Sequence, residues 1–169
     1  MQRFGVDDVE DLSAVTLLDD DRRVLLDMQT ECTFVFNRPG GWPSGVVMSF
    51  LAHEGDLWFT SVADRAQVAS LASDPRVTLV ISNAGTSSPG RQMLAIRGVA
   101  TVHRDREILD TMLLAIAGRL QPADPRAFVR LLDSPQRVVI QVRPVAVSAS
   151  HDSRRMPGDG RGLPRRDET

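Results

Sequence analysis

A mainly β fold is predicted, a small antiparallel barrel of six strands, closed or split, with helices on its periphery. Three observations carry that expectation. Six short runs alternate apolar and polar residues with the two-residue period of half-buried strands. Short turns join most of them in the antiparallel manner, and helical segments interrupt the series only after the third and fifth, which a doubly wound parallel sheet would not tolerate. A chain of 169 residues, 42% hydrophobic and 25% charged, has the length for one core and one domain.

The elements follow in order. Residues 1–18 are acidic and weakly patterned and read as an N-terminal arm. Asp19-Asp20-Asp21 precedes Arg22–Met28, where Val24, Leu25 and Met28 share a side, so acidic residues open a short helix. In Glu31–Asn37, Cys32, Phe34 and Phe36 share one strand face, and Arg38-Pro39-Gly40-Gly41 is a turn by composition. Ser44–Ala52 is a second strand, Glu54-Gly55 a hairpin turn and Asp56–Ser61 a third strand, the last two strands pairing antiparallel. Asp64 is positioned to cap a helix over Arg65–Ala72 that Asp74-Pro75 stops, and Arg76–Ser82 is a fourth strand.

Asn83–Gly90 is small and polar and reads as a mobile loop. Met93–Arg104 forms a long fifth strand in which Gly98 signals a bulge or a close backbone approach. Ile108, Leu109, Met112, Leu113, Ile116 and Leu120 recur at helical spacing across Asp105–Leu120. Asp124-Pro125 opens another helix, and Ser134-Pro135 ends it. Arg137–Ser148 alternates Val138, Ile140 and Val142 against Gln141 and Arg143 as a sixth strand. The barrel domain is therefore 19–150, and 151–169, rich in Gly, Pro and Arg, is expected to be a disordered tail.

Composition narrows the function classes. The net charge is −2 and the 20 basic residues, all arginine, are scattered, so a nucleic-acid or anionic-membrane partner is not expected. Cys32 is the single cysteine, which excludes an internal disulfide and multi-cysteine metal sites and fits a reducing cytoplasm. The first eight residues lack a secretion signal's apolar core, and no apolar run approaches the length of a membrane span, so a soluble cytoplasmic protein is expected. Cys32, between apolar neighbours, reads as buried and inert. His53, His103 and His151 stand at no metal-ligand spacing, so no metal site is expected. Neither a Ser-His-Asp order, a nucleotide-binding glycine loop nor paired carboxylates point to a hydrolase or kinase.

One block stands out. In Gly55-Asp56-Leu57-Trp58-Phe59-Thr60-Ser61, followed by Arg65 and by Ser73-Asp74-Pro75-Arg76-Val77, a strand ends in two hydroxyls and an arginine stands where a helix begins. Arginine there is slightly unfavourable beside the positive end of a helix dipole, so it hints at an anion; the alternative is a surface pair with Asp64. Trp58 and Phe59 alternate faces, one toward the core and one toward a helix or a partner, and Trp42 either covers a ring ligand or packs on a neighbouring subunit.

This ordered set resembles the pyridoxamine 5′-phosphate oxidase-like, flavin-binding split-barrel superfamily over about residues 24–148, with further support from Ile96-Arg97-Gly98. The resemblance implies the FMN-binding split-barrel fold, a homodimer, and FMN or the deazaflavin coenzyme F-420 in grooves between two barrels; some relatives bind haem. It implies that Thr60 and Ser61 lie beside the cofactor phosphate or ribityl chain and that Arg65 completes the anion site. It also implies that Val47, Met48 and Ser49 lie along the ring, with Gln67 in place of a lysine and Gln92 at the ring edge. Relatives that oxidise vitamin B6 phosphates carry basic residues on strand two and an Arg-Lys pair at the helix start. Here Ser44 and Ser49 and Arg65-Ala66-Gln67 occupy those places, and the relatives' terminal arginine-and-tryptophan pattern has no match after Pro144. The expected activity is hydride transfer between the cofactor and a small molecule other than a vitamin B6 phosphate, without an obligatory catalytic side chain. A non-catalytic flavin or haem binder is the alternative.

Overall fold

A computed structural model describes residues 15–156, and its core is one curled antiparallel sheet of seven strands. After helix α1 (Asp19–Met28), strands β1 (Glu31–Asn37), β2 (Pro43–Ser49), β3 (Leu51–His53) and β4 (Asp56–Val62) lead to the short helix α2 (Ala66–Leu71). Strands β5 (Arg76–Ser82) and β6 (Gln92–His103), helices α3 (Arg106–Leu120) and α4 (Pro125–Leu132) and strand β7 (Arg137–Asp152) complete the fold. A 3-10 turn at Ser153–Arg155 follows.

The strand order is β2-β1-β5-β6-β7-β4-β3. The two ends of that order, β2 and β3, are separated in the chain by Phe50 alone, so the sheet must curl until its edges meet. This corrects the six-strand expectation: the run 44–52 is two strands, β2 paired with β1 and only the three residues of β3 paired with β4. Phe50 sits at the bend because its ring is drawn into the core, 6.3 Å from Phe59, while its N–H donates to the Thr30 carbonyl at 2.8 Å. The barrel interior holds Phe34, Phe36, Phe59, Leu79, Ile81, Leu94 and Ile140, with Phe34 and Phe59 edge to face at 5.1 Å.

Local chemistry explains most boundaries. Glu54 and Gly55 both have positive φ, at 52° and 86°, as a two-residue hairpin turn requires. Asp105 caps α3 by accepting from the Glu107 and Ile108 N–H groups, and Asp124 caps α4 through Ala127. Asp64 does not cap α2: Arg65 is the N-cap residue and makes no side-chain cap bond, and the helix has only six residues. Gly98 marks a register shift where β6 crosses β7, and a Cβ there would stand 2.5 Å from Val142 Cγ1 and 2.9 Å from the Arg143 carbonyl oxygen.

Two boundaries differ from expectation. β7 continues to Asp152, and His151, Asp152 and Ser153 are buried, so 151–156 belongs to the folded body; 157–169, the rest of the expected tail, lies outside the described residues. Of the expected arm, Val15 and Leu17 are buried and the Val15 carbonyl accepts from the Asp152 N–H at 2.6 Å; residues 1–14 lie outside the described region. Phe59 faces the interior, while Trp58 faces outward beneath α3 and stacks on His103 at 5.7 Å.

Candidate functional site

Seven of the eight residues singled out in sequence line one cavity. Val47, Met48, Ser49, Thr60, Ser61, Arg65 and Gln67 border a space of about 380 Å³, together with Val62, Leu120, Phe128, Leu132 and Arg137. β2 and the end of β4 form its wall and the turn into α2 one rim, while α3 and α4 close the other side. Residues on both faces of β4 reach the cavity because it wraps the end of that strand.

The donors are arranged without saturating one another. The Gln67 amide nitrogen donates to Ser61 Oγ at 3.4 Å and lies 3.9 Å from Met48 Sδ. Thr60 Oγ1 donates to the Val138 carbonyl at 3.4 Å and accepts from Arg137 Nη1 at 3.5 Å, both at the long end of hydrogen bonding. Arg65 is exposed and makes no side-chain hydrogen bond or ion pair with any described residue, so the alternative pairing with Asp64 does not occur. Asp64 does not line the cavity.

Arg137 is the residue that sequence reading missed. It opens β7 opposite Val62, in register with the end of β4, and its Nε donates to the Leu132 carbonyl at 2.5 Å. Burial pushes its guanidinium below the ordinary value, with a smaller opposing influence from Asp133. No carboxylate among the described residues lies within ion-pair distance of it, because both Asp133 oxygens are gripped by Arg106 at 2.8 Å. Nothing local in Gln136-Arg137-Val138 marks an anion site; only the β4–β7 register brings this arginine to Thr60, 77 positions away.

Gln92 lies elsewhere. It is 3% exposed at the opposite end of β6, where its N–H donates to Asn83 Oδ1 at 2.9 Å and its side-chain oxygen accepts from Ser88 Oγ at 2.8 Å. It is a loop anchor and does not line the cavity. The loop 83–90 is correspondingly tied, with the Asn83 amide donating to the carbonyls of Ser88 and Gly90. Cys32 is buried, and desolvation pushes its thiol up to about 12, as an inert core cysteine requires. Among the described residues no group of His, Cys, Asp and Glu is placed to hold a metal, and no helix is long and apolar enough to cross a membrane.

A larger cavity of about 560 Å³ lies between α1, the β3–β4 hairpin and the middle of β7. Its apolar floor is Leu57, Leu94 and Ile96. Of its rim charges, Arg22 and Arg23 are paired within α1 to Asp19 and Asp20, and Asp56 accepts from Gln141. Of these two cavities, the smaller is the one lined by arginines with no carboxylate partner among the described residues.

Comparison with known proteins agrees with this frame. A family model described as pyridoxamine 5′-phosphate oxidase matches residues 18–151. No curated protein matches. Among solved structures, the conserved hypothetical protein Rv2991 from Mycobacterium tuberculosis is similar at 18% identity and a TM-score of 0.70, covering 90% of this chain and 92% of its own. An F420 reductase is similar at 23% identity and 0.57, over 75% of this chain and 94% of that one. HutZ, the haem storage protein of Vibrio cholerae, is similar at 12% and 0.63, over 80% and 94%. At these identities the likeness is one of fold. With the family match covering most of the chain, the protein belongs to the pyridoxamine 5′-phosphate oxidase family.

Proposed function

We propose that this chain is a flavin-dependent oxidoreductase that holds FMN in the cavity beside β2 and β4 and passes hydride between a reduced donor and a small-molecule acceptor. The observation that carries the reading is the convergence of Arg65 and Arg137 with the hydroxyls of Ser49, Thr60 and Ser61 in one space. Hydroxyl donors and cations without a carboxylate partner suit an anionic phosphate. Bound FMN would supply the electron chemistry; the chain's own part is to bind the phosphate, cover the ring with Val47 and Met48, and exclude water with Phe128 and Leu132.

A homodimer is part of this proposal. Val47 at the edge strand is 69% exposed, and a shallow groove on the outer sheet face is lined by Val35, Thr78, Arg97, Val99 and Val145, the last 68% exposed. A second copy on this face would cover that apolar surface and close the open side of the cavity.

The deazaflavin coenzyme F-420 is the second reading, favoured by the F420 reductase among the structural neighbours and by the absence of a lysine at Gln67. Haem has less support, since Met48 is the one side chain lining the cavity of a type that ligates haem iron. The absorption spectrum of the purified protein, then anaerobic reduction by a nicotinamide or by reduced deazaflavin, separates the three. A flavin spectrum bleached by a donor is expected. A Soret band would overturn both flavin readings, and a bound flavin that no donor reduces would mark a non-catalytic binder.

A further inference from the structure

Two arginines border the cavity from different elements: Arg65 from the turn before α2 and Arg137 from the first position of β7. Thr60 stands beside Arg137, because Val62, the residue paired with Arg137, is two beyond Thr60 on the same strand face. This diagonal places Arg137 Nη1 at 3.5 Å from Thr60 Oγ1. We propose that Arg65 and Arg137 form a two-arginine clamp for a terminal, dianionic phosphate monoester, with Arg137 the selective member. The site then prefers FMN over riboflavin, which has no phosphate, and over a deazaflavin coenzyme whose phosphate is an internal diester. The inference rests on the flavin reading above and deepens it.

Charge and geometry both support the assignment. A phosphate monoester carries about −1.5 to −2 charges at neutral pH, whereas a diester carries a single one, so each cation facing the group favours the monoester and a second cation widens the difference. Arg137 is half-buried without a carboxylate, and burying an uncompensated cation costs free energy that a bound anion offsets. Its Nε is anchored on the Leu132 carbonyl at the C-terminal end of α4, which orients the remaining nitrogens and adds a favourable dipole end. The bidentate grip of Arg106 on Asp133 keeps the nearest carboxylate out of the site. Phe128 and Leu132 stand over the same space, and excluding water there strengthens each charge–charge contact.

The test uses the full chain and Arg137→Gln, with titrations of FMN, riboflavin and deazaflavin coenzyme followed by fluorescence. The wild type should bind FMN more tightly than riboflavin. Arg137→Gln should weaken FMN about 10- to 100-fold and leave riboflavin within about twofold, collapsing the ratio. An unchanged ratio in the folded variant overturns the clamp and leaves the flavin reading standing. A deazaflavin loss as large as the FMN loss overturns the monoester preference. If the wild type binds no flavin, the flavin reading fails on its own, and inorganic phosphate decides the clamp. Phosphate should raise the melting temperature over chloride of equal ionic strength in the wild type and not in Arg137→Gln; no such rise in the wild type, or an equal rise in both, overturns it. Should Arg137→Gln not fold, Arg137→Lys keeps the charge but loses the fork, and an undiminished preference for FMN over riboflavin there overturns the role of Arg137.

Discussion

At the corner where β5, β6 and β7 end together, Asn83, Ser88, Gln92 and Asp152 close on one another and on Arg154; at the opposite end of the β6–β7 ladder, Arg65 and Arg137 face a cavity. Both regions gather polar side chains at strand ends. In the first, the Asp152 carboxylate is 1% exposed and takes Arg154 Nε at 2.8 Å, and Arg154 reaches on to Asp21 at 2.8 Å, fastening the end of the described chain to α1. In the second, Arg65 has no partner among the described residues and Arg137 has none with a carboxylate. A cluster whose donors and acceptors satisfy each other holds the fold together. One whose cations remain unmatched is suited to a ligand.

The strongest way to break this contrast is to cut the fastening. Arg154→Ala leaves Asp152 buried with fewer partners and should cost about 3 kcal/mol in urea-induced unfolding, with flavin affinity unchanged in the folded fraction. Equal destabilisation by Arg137→Gln would erase the distinction between the two regions.

The same pair has a pH signature. Burial pushes the Asp152 carboxyl up, but the hydrogen bonds and charge of Arg154, with a further bond from Gln92, hold it below its ordinary value. A lowered folded pKa means the pair's contribution is present above the unfolded carboxylate range, near pH 4, and is lost as pH falls through the folded value. Urea midpoints measured from pH 7 downward should therefore fall through that acid window in the wild type, and less steeply in Asp152→Asn.

Gly98 lies midway along the ladder that joins the two regions. Gly98→Ala drives a methyl group against Val142 and the Arg143 carbonyl, and should cost about 2 kcal/mol in unfolding while weakening flavin binding as β7 shifts. A loss of stability with unchanged affinity would show that the two ends are independent. The smallest effect belongs to Thr60→Val, which removes one hydroxyl from the cavity wall. It should weaken FMN by about 1 kcal/mol in a fluorescence titration and leave the melting temperature within a degree or two. A large drop in melting temperature would place Thr60 with the fastening residues.

Much of the frame was legible because its causes are local. Alternation in Glu31–Asn37 and Arg76–Ser82, the Glu54-Gly55 turn and the Asp124 cap depend on residues within a few positions. Thr60, Ser61 and Arg65 were equally legible, standing in one strand–turn–helix segment. Gln92 does not join the other seven residues around the cavity, because its position on β6 says nothing of which end of the ladder meets that space. Arg137 passed unnoticed because its neighbours in sequence carry no anion-binding pattern.

By itself the sequence determined a mainly β barrel, the Glu54-Gly55 turn and the Asp124 cap, and the hydroxyl-and-arginine segment that borders the cavity. Only the tertiary structure decided that the strand at 44–52 breaks at Phe50 to join opposite edges of the sheet. It alone brought Arg137 to the cavity that Arg65 borders and tied Gln92 to the loop at 83–90. Periodicity, turns and caps act over a handful of residues, whereas strand partners and uncompensated charges are set by contacts between segments far apart in the chain, and no local pattern encodes them.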